Sequence, residues 1–320
     1  MSLSTEQILS LRPRITRPQP SQLPIDVLQE REAADTFGSV ANVTTVLLRG
    51  SECSFRCTMC DLWKSTHLGP TPIGNLPAQI RTALSTANEH LDATAPRWIK
   101  LYNASNFFAP YNVPTQDLAA IAELVQDFDR VIVENHPLLM SPKIASFAKL
   151  LKGKLEVAMG LETVEPIALR NLNKQMTVED VRRTTVNLVN QGIDVRLFVL
   201  LRPPGLSESA GIDWCIASID AARSWGARHV SVIPVRGGNG AMEKLQSEGN
   251  FEPPLASSLE GVLSESVAKS SMVIAADLWD WQRLRGLCAE CSQLRYERMR
   301  RINLTQAAVE TIECGCQKPF

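Results

Sequence analysis

Three cysteines share one short stretch, Cys53, Cys57 and Cys60, in a C-x3-C-x2-C spacing bounded by Gly50 and Trp63. Thiolate sulfur suits iron–sulfur clusters, copper(I) and zinc, so the spacing defines a metal grip without choosing the metal. A cubane cluster normally takes one cysteine per iron, and the next cysteine along the chain is Cys215, which would leave one iron open. His67 could instead complete a Cys3His zinc set. A disulfide cannot satisfy three cysteines. A second group, Cys288 and Cys291 with Cys314 and Cys316, forms two tight pairs near the end of the chain. Four soft ligands have the composition of a closed zinc site, although C-x-C is a less usual half-site than C-x2-C, and the same set could hold a second iron–sulfur cluster.

These residues need elements to hold them. Apolar, β-branched runs occur at 43–48, 98–102, 130–134, 155–159, 195–201 and 229–235, with helical periodicity at 78–89, 115–126, 141–151, 177–190 and 209–225. Six βα units follow from that alternation, and buried strands separated by amphipathic helices indicate a parallel sheet covered by helices. Periodicity alone does not separate a partial barrel from a doubly wound open sheet. In either, ligands gather at the C-terminal ends of strands. That rule selects Cys53 to Cys60 after the first strand, Asn103, Ala104 and Ser105 after the second, and Glu134 and His136 after the third. Glu162 with Lys174 follows the fourth, the Pro203-Pro204-Gly205 turn the fifth, and Pro234 with its glycine-rich loop the sixth.

The flanks read differently. Residues 1–42 form a proline-rich strap, basic at Arg12, Arg14 and Arg17, with a short helix expected around 26–35. Residues 43–250 hold the βα units, and 251–320 form a cysteine-containing extension with a helix at 255–269 and a short strand at 272–276. Arg283, Arg285 and the basic run 294–301 could meet RNA phosphates or form a solvated basic helix. Cys215, in a helical pattern beside Trp214 and Ile216, reads as core.

The 320 residues are 44% hydrophobic and 21% charged, an ordinary globular composition, with net charge -1 that gives no global reason for nucleic-acid binding. A membrane span and a secretion signal are not expected, so the expected location is the cytoplasm, where clustered thiols stay reduced for metals.

The Cys53–Cys60 loop after a first strand resembles the cluster loop of the radical S-adenosylmethionine (radical SAM) superfamily. That resemblance implies a partial (β/α)6 TIM-like barrel and a [4Fe–4S] cluster on Cys53, Cys57 and Cys60. It also implies S-adenosylmethionine chelated at the open iron, an external electron donor, and reductive cleavage to a 5′-deoxyadenosyl radical. Met59 stands where the family usually has an aromatic residue, and is apolar and polarisable enough to pack near adenine. Asn103, Ala104 and Ser105 occupy the place of a family loop that receives the cofactor's amino group. Glu162 and Lys174 resemble the cofactor-contacting pair of the Elongator-type and methylthiotransferase-type enzymes, and Pro234 opens a loop expected along adenine or substrate.

The motif order and the cysteine-paired tail are similar to the radical SAM subunits of archaeosine synthases. This narrower likeness implies radical chemistry on a modified guanine in transfer RNA, with a partner transferase. Two other classes fit parts of the pattern: a zinc-stabilised nucleic-acid-binding protein and an iron–sulfur electron-transfer protein.

Overall fold

The computed structural model describes residues 2–86, 94–268 and 271–315. Eight strands form one sheet whose spatial order follows the chain: β1 (Asp26–Ala33), β2 (Val40–Leu47), β3 (Arg97–Tyr102), β4 (Arg130–Glu134), β5 (Lys154–Glu162), β6 (Asp194–Leu201), β7 (His229–Pro234) and β8 (Val273–Ala276). β1 pairs antiparallel with β2, and every later neighbour is parallel. The six strands expected from the sequence are β2 to β7. The sheet curls into the expected partial TIM-like barrel, extended by one strand at each edge.

Helices cross between the parallel strands: α2 (Asn75–Thr86), α3 (Asp117–Leu124), α4 (Pro142–Leu150), the pair α5 (Pro166–Asn171) and α6 (Val178–Asn190), and α7 (Glu208–Ser224). Local chemistry sets their starts. Proline occupies the first turn of α4 and α5, where its missing N–H costs nothing, and Thr177 and Asp180 close a capping box at α6. The expected helix at 78–89 is α2, and the last residues of that range lie outside the described residues.

Strand residues alternate between two environments. Outward positions such as Ile99, Leu101, Val131, Val133, Val157 and Leu197 form the main core with the helices, which also takes in Cys215 as expected. Inward positions make a smaller cluster of Ala41, Val43, Trp98, Ile132 and Ala158. Beside it lies a charged network in which Arg196 meets Glu32 (2.8 Å) and Glu156 (2.7 Å), and Glu156 also receives Arg130 (2.9 Å) and Arg228 (2.6 Å).

The expected helix at 26–35 is instead β1. Its residues have middling to good helix propensity, but pairing with β2 sets Glu30 and Glu32 against Lys100 and Arg196, a tertiary gain that overrides propensity. A helix does occur earlier, α1 (Thr5–Leu11), opened by a Ser4/Gln7 capping box. Its Ile8, with Leu3, packs on Leu172, Leu200, Val235 and α8 (Ala241–Ser247).

The far edge of the sheet is closed by side chains. After α9 (Ala256–Ala268) and β8, α10 (Ser292–Thr305) packs against both β8 and β1. Asn303 accepts from the Ala276 N–H and donates to its carbonyl, both at 2.8 Å. Gln306 does the same at Ile274, at 2.8 and 3.0 Å. Two amides thus complete a ladder that a ninth strand would otherwise complete.

Candidate active site at the strand C-termini

The cysteine loop leaves β2 and is fixed from several directions. Ser51 donates from its N–H to Thr71 Oγ1 (2.9 Å), and Asn112 donates to Ser51 Oγ (2.8 Å) and to the Glu52 carbonyl (3.1 Å). Thr58 bonds to the Leu172 carbonyl (2.9 Å), while Asn239 donates to the carbonyls of Thr58 (2.6 Å) and Cys60 (3.3 Å). Glu52 gathers Arg12 (2.8 Å), Arg17 (3.1 Å) and Arg56 (3.4 Å). Although burial opposes ionisation, these guanidiniums hold its carboxyl below the usual range. Arg12 and Arg17 also lie over Trp63, so the basic residues of the strap brace the loop.

The thiols themselves receive donors. Asn106 Nδ2 lies 3.2 Å and the Phe55 N–H 3.4 Å from Cys53 Sγ, contacts that tune metal-bound sulfur. Burial holds the Cys57 thiol above its ordinary value and pushes Cys60 up to about 11. The three sulfurs do not all lie within 4.8 Å of one another, and no three of Cys53, Cys57, Cys60 and His67 do. A Cys3His zinc set is therefore not assembled. His67 is buried with Nδ1 3.1 Å from the Leu68 carbonyl. Wider spacing suits a cluster, in which each thiolate bonds its own iron, better than a single tetrahedral ion.

Glu162 and Lys174 form a buried ion pair rather than a surface one. Burial pulls the Lys174 ammonium down, but Glu162 and Cys57 outweigh it and hold its pKa above the usual value. Glu162 is the last residue of β5, at φ +66, beside a register shift at Gly160. A Cβ on Gly160 would meet Lys174 Nζ and Glu162 Oε1, the far ends of two flexible side chains, so a larger residue must push the pair aside. Asn173 and Gln175, on either side of Lys174, are also left-handed. His136 reaches the Lys174 carbonyl (3.1 Å) and stacks on Phe55 at 3.6 Å. Burial, then Lys174, lowers its pKa to about 3.

The loop after β3 presents polar atoms without protein partners. Asn103 is fully buried, its side-chain nitrogen and oxygen make no hydrogen bond, and neither does Ser105 Oγ. Ala104 between them has φ +53. Glu134, at the end of β4, accepts from the backbone N–H groups of Ala104 and Asn103, while its Oε2 has no partner. Burial raises this carboxyl to about 7 against those donors. Buried orphan polar groups carry a desolvation cost that a ligand would relieve. The donor set is thus three thiols, a buried ammonium and carboxylate, and orphaned amide and hydroxyl groups. It fits a cluster with a bound zwitterionic cofactor.

Met59 packs at the edge of the apolar cluster containing Val235 and Leu200. Pro234 ends β7 and lines a cleft with Arg236, Pro253, Asp277 and Trp281. The glycine-rich loop after it is held by chain contacts. Gly240 passes so close to the Leu11 carbonyl that a Cβ would collide, and Lys64 donates to the Gly238 carbonyl. Sequence reasoning missed Asn106 and Asn112, because a single asparagine in a loop has no periodicity to mark it.

Two of the four arginines of the basic run in the extension are internal. Arg295 pairs with Glu260 (2.6 Å), and Arg298 donates to the carbonyls of Val309 (2.8 Å) and Glu310 (2.7 Å). A fully solvated helix is therefore excluded, and only part of the run is left to face a polyanion. Cys288, Cys291 and Cys314 come together, whereas Cys316 lies outside the described residues.

No family model matches the chain. It is 26% identical over 336 residues to the archaeosine synthase subunit beta of Methanosarcina acetivorans, covering 99% of this chain and 94% of that protein. It is 25% identical over 311 residues to an uncharacterized protein of Methanocaldococcus jannaschii, covering 92% and 85%. Among solved structures it is similar to archaeal Methanocaldococcus infernus Elp3 (TM-score 0.50, 16% identity, 72% of this chain). Streptococcus suis SuiB bound to S-adenosylmethionine (0.52, 12%, 71%) and methylornithine synthase (0.52, 16%, 77%) are further matches. The chain spans 59% of that Elp3 chain, 48% of SuiB and 67% of the synthase. These structural neighbours are radical SAM enzymes, and the chain has their fold. Among the described residues no helix is long and apolar enough to cross a membrane.

Proposed function

We propose that the protein is a radical SAM enzyme in which Cys53, Cys57 and Cys60 hold a [4Fe–4S] cluster and S-adenosylmethionine binds beside it. The observation that carries this reading is the junction of three thiols on one loop with the buried Glu162–Lys174 pair and the orphaned atoms of Asn103 and Ser105. When bound, the cluster supplies the electron that cleaves the sulfonium of S-adenosylmethionine and so starts radical chemistry. The chain binds and orients. Lys174 offers an ammonium to a carboxylate, Glu162 and Glu134 offer carboxylates to an ammonium or to ribose hydroxyls, and Asn103 and Ser105 supply a further donor and acceptors. Ala104 lies between them in the cofactor loop. Met59 and Pro234 provide apolar surface for adenine.

The substrate we infer is a modified guanine in transfer RNA, delivered with a partner transferase, with an external one-electron donor in the cytoplasm. Support comes from the archaeosine synthase subunit beta, whose resemblance runs over 99% of this chain. The test is anaerobic reconstitution with iron, sulfide and dithionite, followed by assay for 5′-deoxyadenosine with and without transfer RNA. Cys57→Ala is expected to abolish product. Absence of 5′-deoxyadenosine from a protein whose cluster has been reduced sinks the reading, and turnover stimulated by small molecules but not by RNA removes the substrate assignment.

A further inference from the structure

The extension carries a cysteine site that the barrel chemistry leaves unused. Cys288 precedes α10, Cys291 is its N-cap residue, and Cys314 returns in the segment beyond the helix. Cys288 Sγ lies 3.4 Å from Cys291 Sγ and 3.6 Å from Cys314 Sγ, and all three sulfurs lie within 4.8 Å of one another. These separations are far from the roughly 2.05 Å of a disulfide. They match the sulfur–sulfur edge, about 3.8 Å, of a tetrahedron built on metal–sulfur bonds of about 2.3 Å. The barrel loop, with its wider spacing, does not meet that condition.

One of the three ligands is also held from outside the site. Arg295, one turn into α10, interacts with Cys291 while anchored by Glu260 (2.6 Å) and the Gly286 carbonyl (3.0 Å). Such an outer donor orients a ligand. The helix N-terminus adds its partial positive charge at Cys291.

We propose that Cys288, Cys291 and Cys314 bind a single structural zinc ion. The ion fastens the C-terminal segment to the helix that seals the sheet. That helix already holds the segment through Arg298 at Val309 and Glu310, and caps β8 through Asn303 and Gln306. Zinc held between the loop before α10 and the segment after it ties the two together, so its contribution is folding free energy.

The test separates this site from the barrel. The full chain carrying Cys53→Ala, Cys57→Ala and Cys60→Ala is purified anaerobically and analysed for zinc, iron and sulfide. About one zinc per chain and no iron is expected, and adding Cys288→Ala and Cys314→Ala is expected to remove that zinc. Iron with sulfide and brown absorbance in the triple variant overturns the proposal in favour of a second cluster. A metal-free triple variant, or zinc unchanged by the tail substitutions, also overturns it. Should the multiple variants precipitate, the wild-type chain serves: titrating its thiols with an organomercurial is expected to release about one zinc, detected by a chromogenic chelator, and release of none overturns the proposal. The readout is metal content, so it stands or falls independently of S-adenosylmethionine cleavage.

Discussion

Glu134 is a carboxyl whose burial works against its charge. Its pKa is raised from 4.5 to about 7, so between those values the folded chain holds a proton that the unfolded chain releases. Stability therefore falls as pH rises through that window, by about 3 kcal/mol in total. Glu134→Gln, which stays neutral, is expected to raise stability at pH 8 by up to about 3 kcal/mol in urea titrations of the cofactor-free protein; an unchanged midpoint would show that the carboxyl is solvated. Gly160→Ala tests the neighbouring pair. Its Cβ would strike Lys174 Nζ and Glu162 Oε1, and S-adenosylmethionine affinity measured by equilibrium dialysis is expected to drop at least tenfold, about 1.4 kcal/mol. Spacing marks the three cysteines in the sequence and a strand end marks Glu162, whereas Lys174 is singled out only by the family resemblance. Asn106, whose amide meets Cys53 Sγ, was not, because its role depends on where two distant loops meet.

Elements were legible where both of their faces are committed. β2 to β7 follow from runs of apolar residues between amphipathic helices, and the short strand expected at 272–276 is β8. β1 was not legible, since Asp26–Ala33 carries helix-favouring Glu, Gln, Leu and Ala, and its strand state comes from charges across the sheet. The edge beyond β8 is equally silent in sequence, because a helix takes the place of a strand there. Asn303 and Gln306 satisfy two N–H and two C=O groups of β8. Replacing both with leucine leaves these four groups buried without partners, and a loss of at least about 4 kcal/mol is expected at about 1–3 for each group left unpaired. Hydrogen exchange at the Ile274 and Ala276 amides is the direct check, and protection equal to wild type would mean that packing alone guards the edge.

Across the whole molecule, the barrel interior is held by charge as well as by apolar contact, and that makes acid its weak side. Burial opposes ionisation of Glu32 and Glu156, yet Arg196 and neighbouring cations hold both well below 4.5. Carboxyls with depressed folded values stabilise the fold fully above 4.5, and that stability is lost as pH falls through the folded values. Burial, then Arg196, keeps His229 neutral, its pKa far below 6.5, so protonation of the unfolded chain erodes stability as pH falls below 6.5. His136, lowered to about 3, acts in the same direction. Glu134 acts oppositely between 7 and 4.5, which softens the decline there and leaves the steep limb below 4.5. Arg196 is the member that joins Glu32 to Glu156. Arg196→Met removes it while keeping much of the volume, leaving the buried Glu156 and the half-buried Glu32 short of a partner, and is expected to cost about 3–5 kcal/mol at pH 7. The deficit shrinks on acidification, because protonated carboxyls no longer need the guanidinium. Urea midpoints of the wild type and Arg196→Met at pH 7 and at pH 4 measure that difference, and a deficit of equal size at both values would mean that Arg196 acts through packing rather than charge.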